Sequence, residues 1–322
     1  MGYTVSAACL AWVLHGYDFN QLSHDFRTLD WKWVALSVVA DLAVYVCHGW
    51  RWQTLLAPVS RTSFWRTVQS IYIGLFANEV LPLRPGELIR CYLLAHWNDL
   101  RLSVGFASAA VERIIDGLWM LAVFILTAAV AKGMPSEIEF AGEAMGVVLL
   151  VLVALFALVL RYHHHAHAAL RESRWASTFR HVIEGLQLMG NPRTLVVTAG
   201  ISLLYFGLQV VTMWALMRAY ALDYSFWVAG GVLTIVRIGT LVPNAPGNVG
   251  LVNASVMVAL RLFEGSESDA RGFSLVYLVA QTLPLLVGGA IATALTGVNI
   301  GELRDRARAR ASQPATAGPA AS

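Results

Sequence analysis

The chain has 322 residues, of which 57% are hydrophobic and 13% charged, with a mean hydropathy of +0.60 and a formal net charge of +3. That balance excludes an ordinary water-soluble domain and places the chain among polytopic membrane proteins. Three cysteines, Cys9, Cys47 and Cys91, lie in apolar segments without CxxC spacing, so neither a disulfide framework nor a zinc site is expected, and no metal or cofactor is implied.

Tyr3 to Leu14 is apolar but shorter than the roughly 20 residues a helix needs to cross a bilayer. It reads as a partial or interfacial helix, or as the end of a span that starts upstream. No basic n-region precedes it, which argues against a cleaved signal peptide. Gly16 to Lys32 is a polar loop with Asp18, Asp25 and Asp30, and Trp33 to Leu56 is long enough to span, with Trp50, Arg51 and Trp52 as an interface anchor. The next apolar run, Val68 to Trp97, is interrupted by Asn78-Glu79-Val80-Leu81-Pro82-Leu83-Arg84-Pro85-Gly86-Glu87-Leu88-Ile89-Arg90. Pro82 and Pro85 lack amide protons and bias Leu81 and Arg84 away from helical geometry. A helix beginning near Val68 should therefore stop at about Leu81. Another should start at Arg84, with Pro85 in its first position and Glu87 in its first turn.

Ser103 to Val130 spans, Lys132 to Glu139 is a loop, and Gly146 to Leu160 continues an apolar run. Arg161 to Arg193 is hydrophilic, but Phe179, Val182, Ile183, Leu186 and Met189 recur at helical spacing, which predicts an amphipathic helix on the membrane surface. His163, His164, His165 and His167 read as solvated linker rather than as a metal site. Leu195 to Leu216 spans. Val242-Pro243-Asn244-Ala245-Pro246-Gly247-Asn248 then repeats the Pro-x-x-Pro-Gly pattern between the apolar arms Val232 to Leu241 and Leu251 to Leu260. Two interrupted segments at corresponding places in two halves point to a transporter-type substrate site, with simple proline kinks as the plainer alternative. An acidic loop with Glu264, Glu267 and Asp269 precedes a last span, Phe273 to Val298.

Arginines cluster after Trp52, across Arg161 to Arg193, and at Arg304, Arg306, Arg308 and Arg310, whereas the intervening loops are neutral or acidic. The positive-inside rule puts the first set, and the C-terminus, on the cytoplasmic side of an inner (plasma) membrane. An even number of crossings must then separate Arg193 from the C-terminal patch, so Phe226 to Phe263 is a re-entrant hairpin, or two full helices, rather than one broken span. The expected fold is an all-α polytopic membrane protein of two inverted structural repeats, each with a Pro-Gly-broken re-entrant helical hairpin. The first membrane half covers 1–160 with its hairpin at 68–97, followed by a cytoplasmic amphipathic linker at 161–193. The second half covers 194–298 with its hairpin at 226–263, and a basic, disordered tail covers 299–322.

Three motifs in order, Asn78-x-x-Leu81-Pro82-x-Arg84-x-Gly86-Glu87-x-x-Arg90, Glu112-Arg113-Ile114-Ile115-Asp116-Gly117 and Pro243-x-x-Pro246-Gly247-x-x-Gly250, resemble the membrane domain of the lysylphosphatidylglycerol synthase and flippase-like family. The resemblance covers nearly the whole chain. In that family the last motif usually reads Pro-Gly-Gly-x-Gly with a glutamate soon after, where this chain has Asn248 and Asn253. Family members that aminoacylate lipid do so with a separate soluble domain. The resemblance therefore implies lipid translocation rather than synthesis.

Glu87 and Arg90, three apart, can pair and leave Arg84 for a ligand; the alternative is a wholly internal ion network that includes Glu79. Glu112 and Asp116 share one face of the next span beside Arg113 and are expected to complete that network rather than to catalyse. At the second tip Pro246 suits a first helical position, so Gly247, Asn248, Val249 and Gly250 should present bare backbone amides to an anion, and Arg237, roughly two turns earlier, adds positive charge. Glu87, Arg90, Arg113, Arg237, Gly247, Asn248 and Gly250 thus join Arg84 as candidate substrate-binding residues. Asp41 and His48 read as packing residues. The expected activity is movement of a lipid with an anionic phosphate head group, a phospholipid or a polyprenyl phosphate, between leaflets. The alternative is a membrane-embedded transferase or accessory subunit acting on polyprenyl-phosphate-linked sugars, against which stands the lack of any Gly-rich phosphate loop, Asp-x-Asp pair or HExxH in the 161–193 linker. No nucleic-acid partner is expected, and a homo-oligomer is compatible with the sequence.

Overall fold

The computed structural model describes residues 2–15, 19–81, 85–130, 189–240 and 246–298, with a few positions between 140 and 154. Among these residues the chain is helical, without a strand. In chain order the helices are α1 (Gly2–Leu14), α2 (Phe19–Thr28), α3 (Trp31–Leu56), α4 (Phe64–Val80), α5 (Gly86–Trp97) and α6 (Leu102–Val130). After the linker come α7 (Pro192–Ala219), α8 (Phe226–Gly239), a 3-10 turn (Pro246–Asn248), α9 (Leu251–Leu262) and α10 (Glu267–Thr296). By length and composition α3, α7 and α10 are each able to cross a membrane. Their outer faces carry apolar stripes, such as Leu283, Val287, Ile291 and Leu295 on α10, that suit lipid rather than water.

Short polar side chains set several helix starts. Asp30 accepts from the Lys32 amide ahead of α3, Asn191 from Arg193 ahead of α7, and Ser225 from Val228 ahead of α8. Ser266 caps α10, so Glu267 and Asp269 belong to its first turn, where carboxylates offset the helix dipole. The expected acidic loop is therefore a helix start. The expected polar loop at Gly16 to Lys32 likewise contains α2. Asp25 is buried there, accepting a 2.7 Å hydrogen bond from the Tyr220 hydroxyl, and Phe26 packs on the core of the second half. Pro284 lies inside α10. Of the predicted amphipathic linker helix, Met189 is described and is wholly buried against Trp52, Leu55 and Leu56, while the histidine run and the basic tail lie outside the described residues.

Two packing relations organise the molecule. The first is the long contact of α3 with α7, which run antiparallel. The Asp30 amide donates to the Ala219 carbonyl, the Ser37 hydroxyl to the Thr212 carbonyl at 2.9 Å, and the Cys47 thiol to the Ile201 carbonyl at 3.7 Å. The second is a pair of short helical hairpins that fold back on themselves. α4 and α5 meet at their outer ends, where the Ser63 amide donates to Asn98 Oδ1 at 3.0 Å. α8 and α9 do the same, with the Tyr224 hydroxyl beside Gly265. Three further helix contacts recur when the halves are exchanged. α3 on α4 matches α7 on α8, α5 on α6 matches α9 on α10, and α4 on α10 matches α8 on α6.

Close helix approach depends on small residues, as expected where water supplies no driving force between helices. A Cβ on Gly86 would lie 1.9 Å from the Gly74 carbonyl oxygen, so α4 and α5 touch backbone to backbone. Gly288 and Gly289 leave room for Tyr72 and Phe76 between α10 and α4. Gly86→Ala should accordingly cost about 1–3 kcal/mol and lower the thermal midpoint of the detergent-purified protein. Gly200→Ala, where a Cβ would meet nothing within 4 Å, should leave the midpoint unchanged or raise it slightly.

Candidate functional site

The first break is closed by a side chain. α4 ends at Val80, and Asn78, 8% exposed, turns its Oδ1 to accept a 2.7 Å hydrogen bond from the Gly86 amide at the start of α5. A donor orphaned by the break is thus satisfied away from water, which lipid-depth backbone requires. Pro85 sits one place outside the helix as its cap, rather than in its first position. Arg84 lies outside the described residues.

Beside this break lies a buried ion network. Glu112 on α6 has no exposed side chain, and Arg51 reaches it at 3.0 Å, Arg90 and His48 each at 3.2 Å. Arg51 also pairs with Asp116, and its guanidinium lies over the Tyr205 ring of α7 at 4.5 Å from the centroid. Arg90 pairs with Glu87 at 2.7 Å, as the three-residue spacing predicts, and stacks over Trp52 at 4.6 Å. Arg51 and Trp52 therefore do not form an interface anchor. Both are wholly buried, with the Trp52 indole donating to Ser108 at 2.8 Å, and only Trp50 of the three faces outward. The reason is helical continuity: α3 runs on to Leu56, turning positions 51 and 52 towards α6. One signal was present in the sequence. Two carboxylates four apart on an apolar helix need a cation from elsewhere, and Arg51 is the arginine inside a facing apolar run.

The second break differs from its expected form. Gly247, Asn248 and Gly250 take φ of 71°, 53° and 86°, left-handed values that keep a helix from starting at Pro246. α9 begins at Leu251, where Asn253 Oδ1 accepts from the Gly250 amide at 3.2 Å and its amide nitrogen donates to the Ser274 carbonyl of α10 at 2.9 Å. A side chain at Gly250 would strike the Ser6 carbonyl of α1 at 2.2 Å, so α1 seals this end. The tip is not free of acid either. Glu79 Oε2, from the first break, lies 3.1 Å from where a Cβ of Gly247 would stand. The expected bare amide site at this tip is thus faced by a carboxylate from the other half.

Between the two breaks is a cavity of about 260 Å³. It brings together Glu79, Glu87, Arg90, Arg113, Arg237, Gly247 and Asn248 of the sequence-predicted site residues, while Glu112, Asp116 and Gly250 stand outside its lining. Arg113 is about half exposed and reaches Asp116 at 3.4 Å. Arg237, also in the lining, donates to the amide oxygen of Gln209 and has no ion pair among the described residues. Asp41, expected to be a packing residue, lines the same cavity with Tyr45, His48 and Tyr277.

Residues 1–289 match the family described as Lysylphosphatidylglycerol synthase TM region. A protein of Methanothermobacter thermautotrophicus named UPF0104 membrane protein is 23% identical over 296 residues, covering 82% of this chain and 81% of its own length. A second such protein from the same organism is 22% identical over 264 residues, covering 74% and 78%. A protein of Haloferax volcanii named Glycosyltransferase AglD is 24% identical over 264 residues, covering 70% of this chain but 42% of its own length. No solved structure matches significantly.

Removing one partner of the network exposes its role. Arg51→Met leaves Glu112 and Asp116 short of a cation at a buried site, and should cost about 3–5 kcal/mol, read as a sharply lower thermal midpoint or loss of folded protein in detergent. Arg113→Met, at a half-exposed position, should cost about 1 kcal/mol or less in the same assay.

Proposed function

We propose that this chain, which belongs to the lysylphosphatidylglycerol synthase TM-region family, moves a lipid with an anionic phosphate head group between leaflets, the head group passing through the central cavity while the acyl or isoprenoid chains stay in lipid. The observation that carries the reading is Arg237. Its hydrogen bond goes to a neutral amide, so its charge is available to an anion at the cavity wall. Arg113 lines the same cavity, paired with Asp116 at 3.4 Å and about half exposed, and guanidinium forks suit phosphate oxygens. Arg51 and Arg90 are engaged with Glu112 instead. At about 260 Å³ the cavity suits a head group rather than a whole lipid. Arg84 is proposed as a further cation of the path on its place in the first break, and the phosphate is placed with the arginines rather than at the second tip, where Glu79 would repel it.

The same proposal takes α4–α5 and α8–α9 as re-entrant hairpins of two inverted repeats in the inner membrane, with the C-terminus cytoplasmic. In support, helices of 12 to 17 residues rise only about 18–26 Å, short of a bilayer core of roughly 30 Å. The adjoining hairpin ends, the antiparallel α3 and α7 and the recurrence of packing between halves support it as well. Single cysteines in place of Asp223 and Ser268, which flank α8–α9, should both react with an impermeant thiol reagent from outside. Labelling from opposite sides would make that segment one broken span.

Transport is tested in proteoliposomes carrying a panel of labelled phospholipids and polyprenyl phosphates, scored for leaflet exchange. Anionic lipids should exchange, and Arg237→Ala should slow exchange about ten- to hundred-fold at matched protein abundance, with Arg237→Lys between the two. Exchange by Arg237→Ala equal to the parent would remove Arg237 from the path. The match to a protein named as a glycosyltransferase favours a second reading, a transferase or accessory subunit acting on polyprenyl-phosphate-linked sugars. Sugar transfer from such a donor by the purified chain, without lipid exchange, would establish that reading over the first.

A further inference from the structure

The acidic groups in and beside the cavity are not treated alike. Glu112, Asp116 and Glu87 are each matched to an arginine. Asp41 is 4% exposed, and no ion pair reaches it among the described residues; its Oδ2 has no hydrogen-bond partner there. Tyr45, one turn along the same helix face, offers the carboxyl group a neutral hydroxyl and no charge. Residue 41 falls near the middle of a 26-residue spanning helix, about 15 Å from its start. An ionised carboxylate there lacks the compensation that burial demands, and the ordinary escape from that cost is to bind a proton.

The groups that face the cavity from each packed element limit the alternatives. From α4 comes Glu79, with Tyr72 close enough to interact with Asp41, from α7 Tyr205 and from α10 Tyr277, none of them a cation, while Arg90 of α5 and Arg113 of α6 are paired with Glu87, Glu112 and Asp116. The α6 charges Glu112 and Asp116 are held by Arg51, on the far side of His48. The positive charge that acts on Asp41 is Arg237 of α8, the same side chain proposed to receive the phosphate. Asp41 and an anionic head group therefore draw on one guanidinium. When no phosphate is present, the charge of Arg237 favours the Asp41 carboxylate. When a phosphate takes up that charge, the carboxylate loses its support.

We propose that Asp41 is a proton-binding site linked to substrate, which takes up a proton on Oδ2 as an anionic head group engages Arg237 and gives it back as the head group leaves. The proton comes from water admitted to the cavity and returns to it, the carboxyl group being neutral while the lipid is bound. One proton then accompanies each phosphate charge through the cavity, and a pH difference across the membrane can drive lipid to one leaflet. This inference rests on the lipid-moving reading for its anion, but not for the titration of Asp41.

The test separates the two. Infrared difference spectra of the purified protein in detergent are recorded on raising the pH without lipid, and on adding dihexanoyl phosphatidylglycerol at fixed pH; binding is followed separately by the thermal midpoint. The parent should show the carbonyl band of a protonated carboxyl group that is lost as pH rises and gained when the anionic lipid binds. Asp41→Asn should lack that band in both experiments, and in Arg237→Gln the band should persist with or without lipid. Binding of the lipid with no gain of the band, or a band that survives in Asp41→Asn, overturns the proposal. Should the lipid fail to bind, a pH-dependent band absent from Asp41→Asn would still establish the proton site and leave only its anion to be changed. No titrating band at all would remove Asp41 whatever the substrate.

Discussion

Glu112 is a carboxylate with no exposed surface, placed on a largely apolar helix, and the arrangement of the first half follows from the need to neutralise it. Three basic side chains converge on it, His48 and Arg51 from α3 and Arg90 from α5. α5 is a 12-residue helix that would be poorly held by apolar contact alone in a lipid surrounding. Its attachment to α6 through Arg90 fixes where the first break lies. The two guanidiniums also lie over aromatic rings, Arg51 over Tyr205 and Arg90 over Trp52, so the same charges tie the network to α7 in the other half. A consequence is a division among the arginines. Those that complete the frame are sealed from the cavity or bound to carboxylates, whereas Arg237 lines the cavity without an ion pair among the described residues.

The parts of this arrangement that are local in the chain were legible in the sequence. Proline chemistry acts on immediate neighbours, so the end of α4 near Leu81 and the interruption before α9 could be read from Pro82, Pro85 and Pro246. The Glu87–Arg90 pair follows from spacing alone. What was not legible depends on how distant elements face one another. Arg51 looks like part of an aromatic interface anchor until α3 is seen to turn it towards Glu112. Asn78 reads as an incidental polar residue of the motif until Gly86 is brought beneath its amide oxygen. The left-handed turn at Gly247 and Asn248 is encoded locally, but its proximity to Glu79 is not. α2 was hidden by its composition, since Asp25 is buried against a hydroxyl that arrives from far along the chain, Tyr220 at the end of α7.

The two breaks satisfy the same requirement by different means. In the first, a side chain reaches across the gap, and the charges at its margin are paired. In the second, the backbone itself turns through three residues of positive φ, and Asn253 fastens the following helix to α10. The place where the resembled family carries a glutamate is thus occupied here by a neutral amide whose hydrogen bonds are internal. Acidic function at the cavity falls to residues elsewhere, Glu79 beside the second tip and Asp41 on α3.

Pro284 gives α10 a mechanical character that its length conceals. A proline removes one backbone hydrogen bond and crowds the preceding turn, so resistance to bending is lowest just before it. On one side of that point Tyr277, Gln281 and Thr282 form cavity wall; on the other, Gly288 and Gly289 are notched against Tyr72 and Phe76 of α4. The compliant joint therefore separates a clamped segment from a facing one. A bend there would widen or narrow the cavity while the glycine notch stayed engaged, leaving intact the seam between α10 and α4.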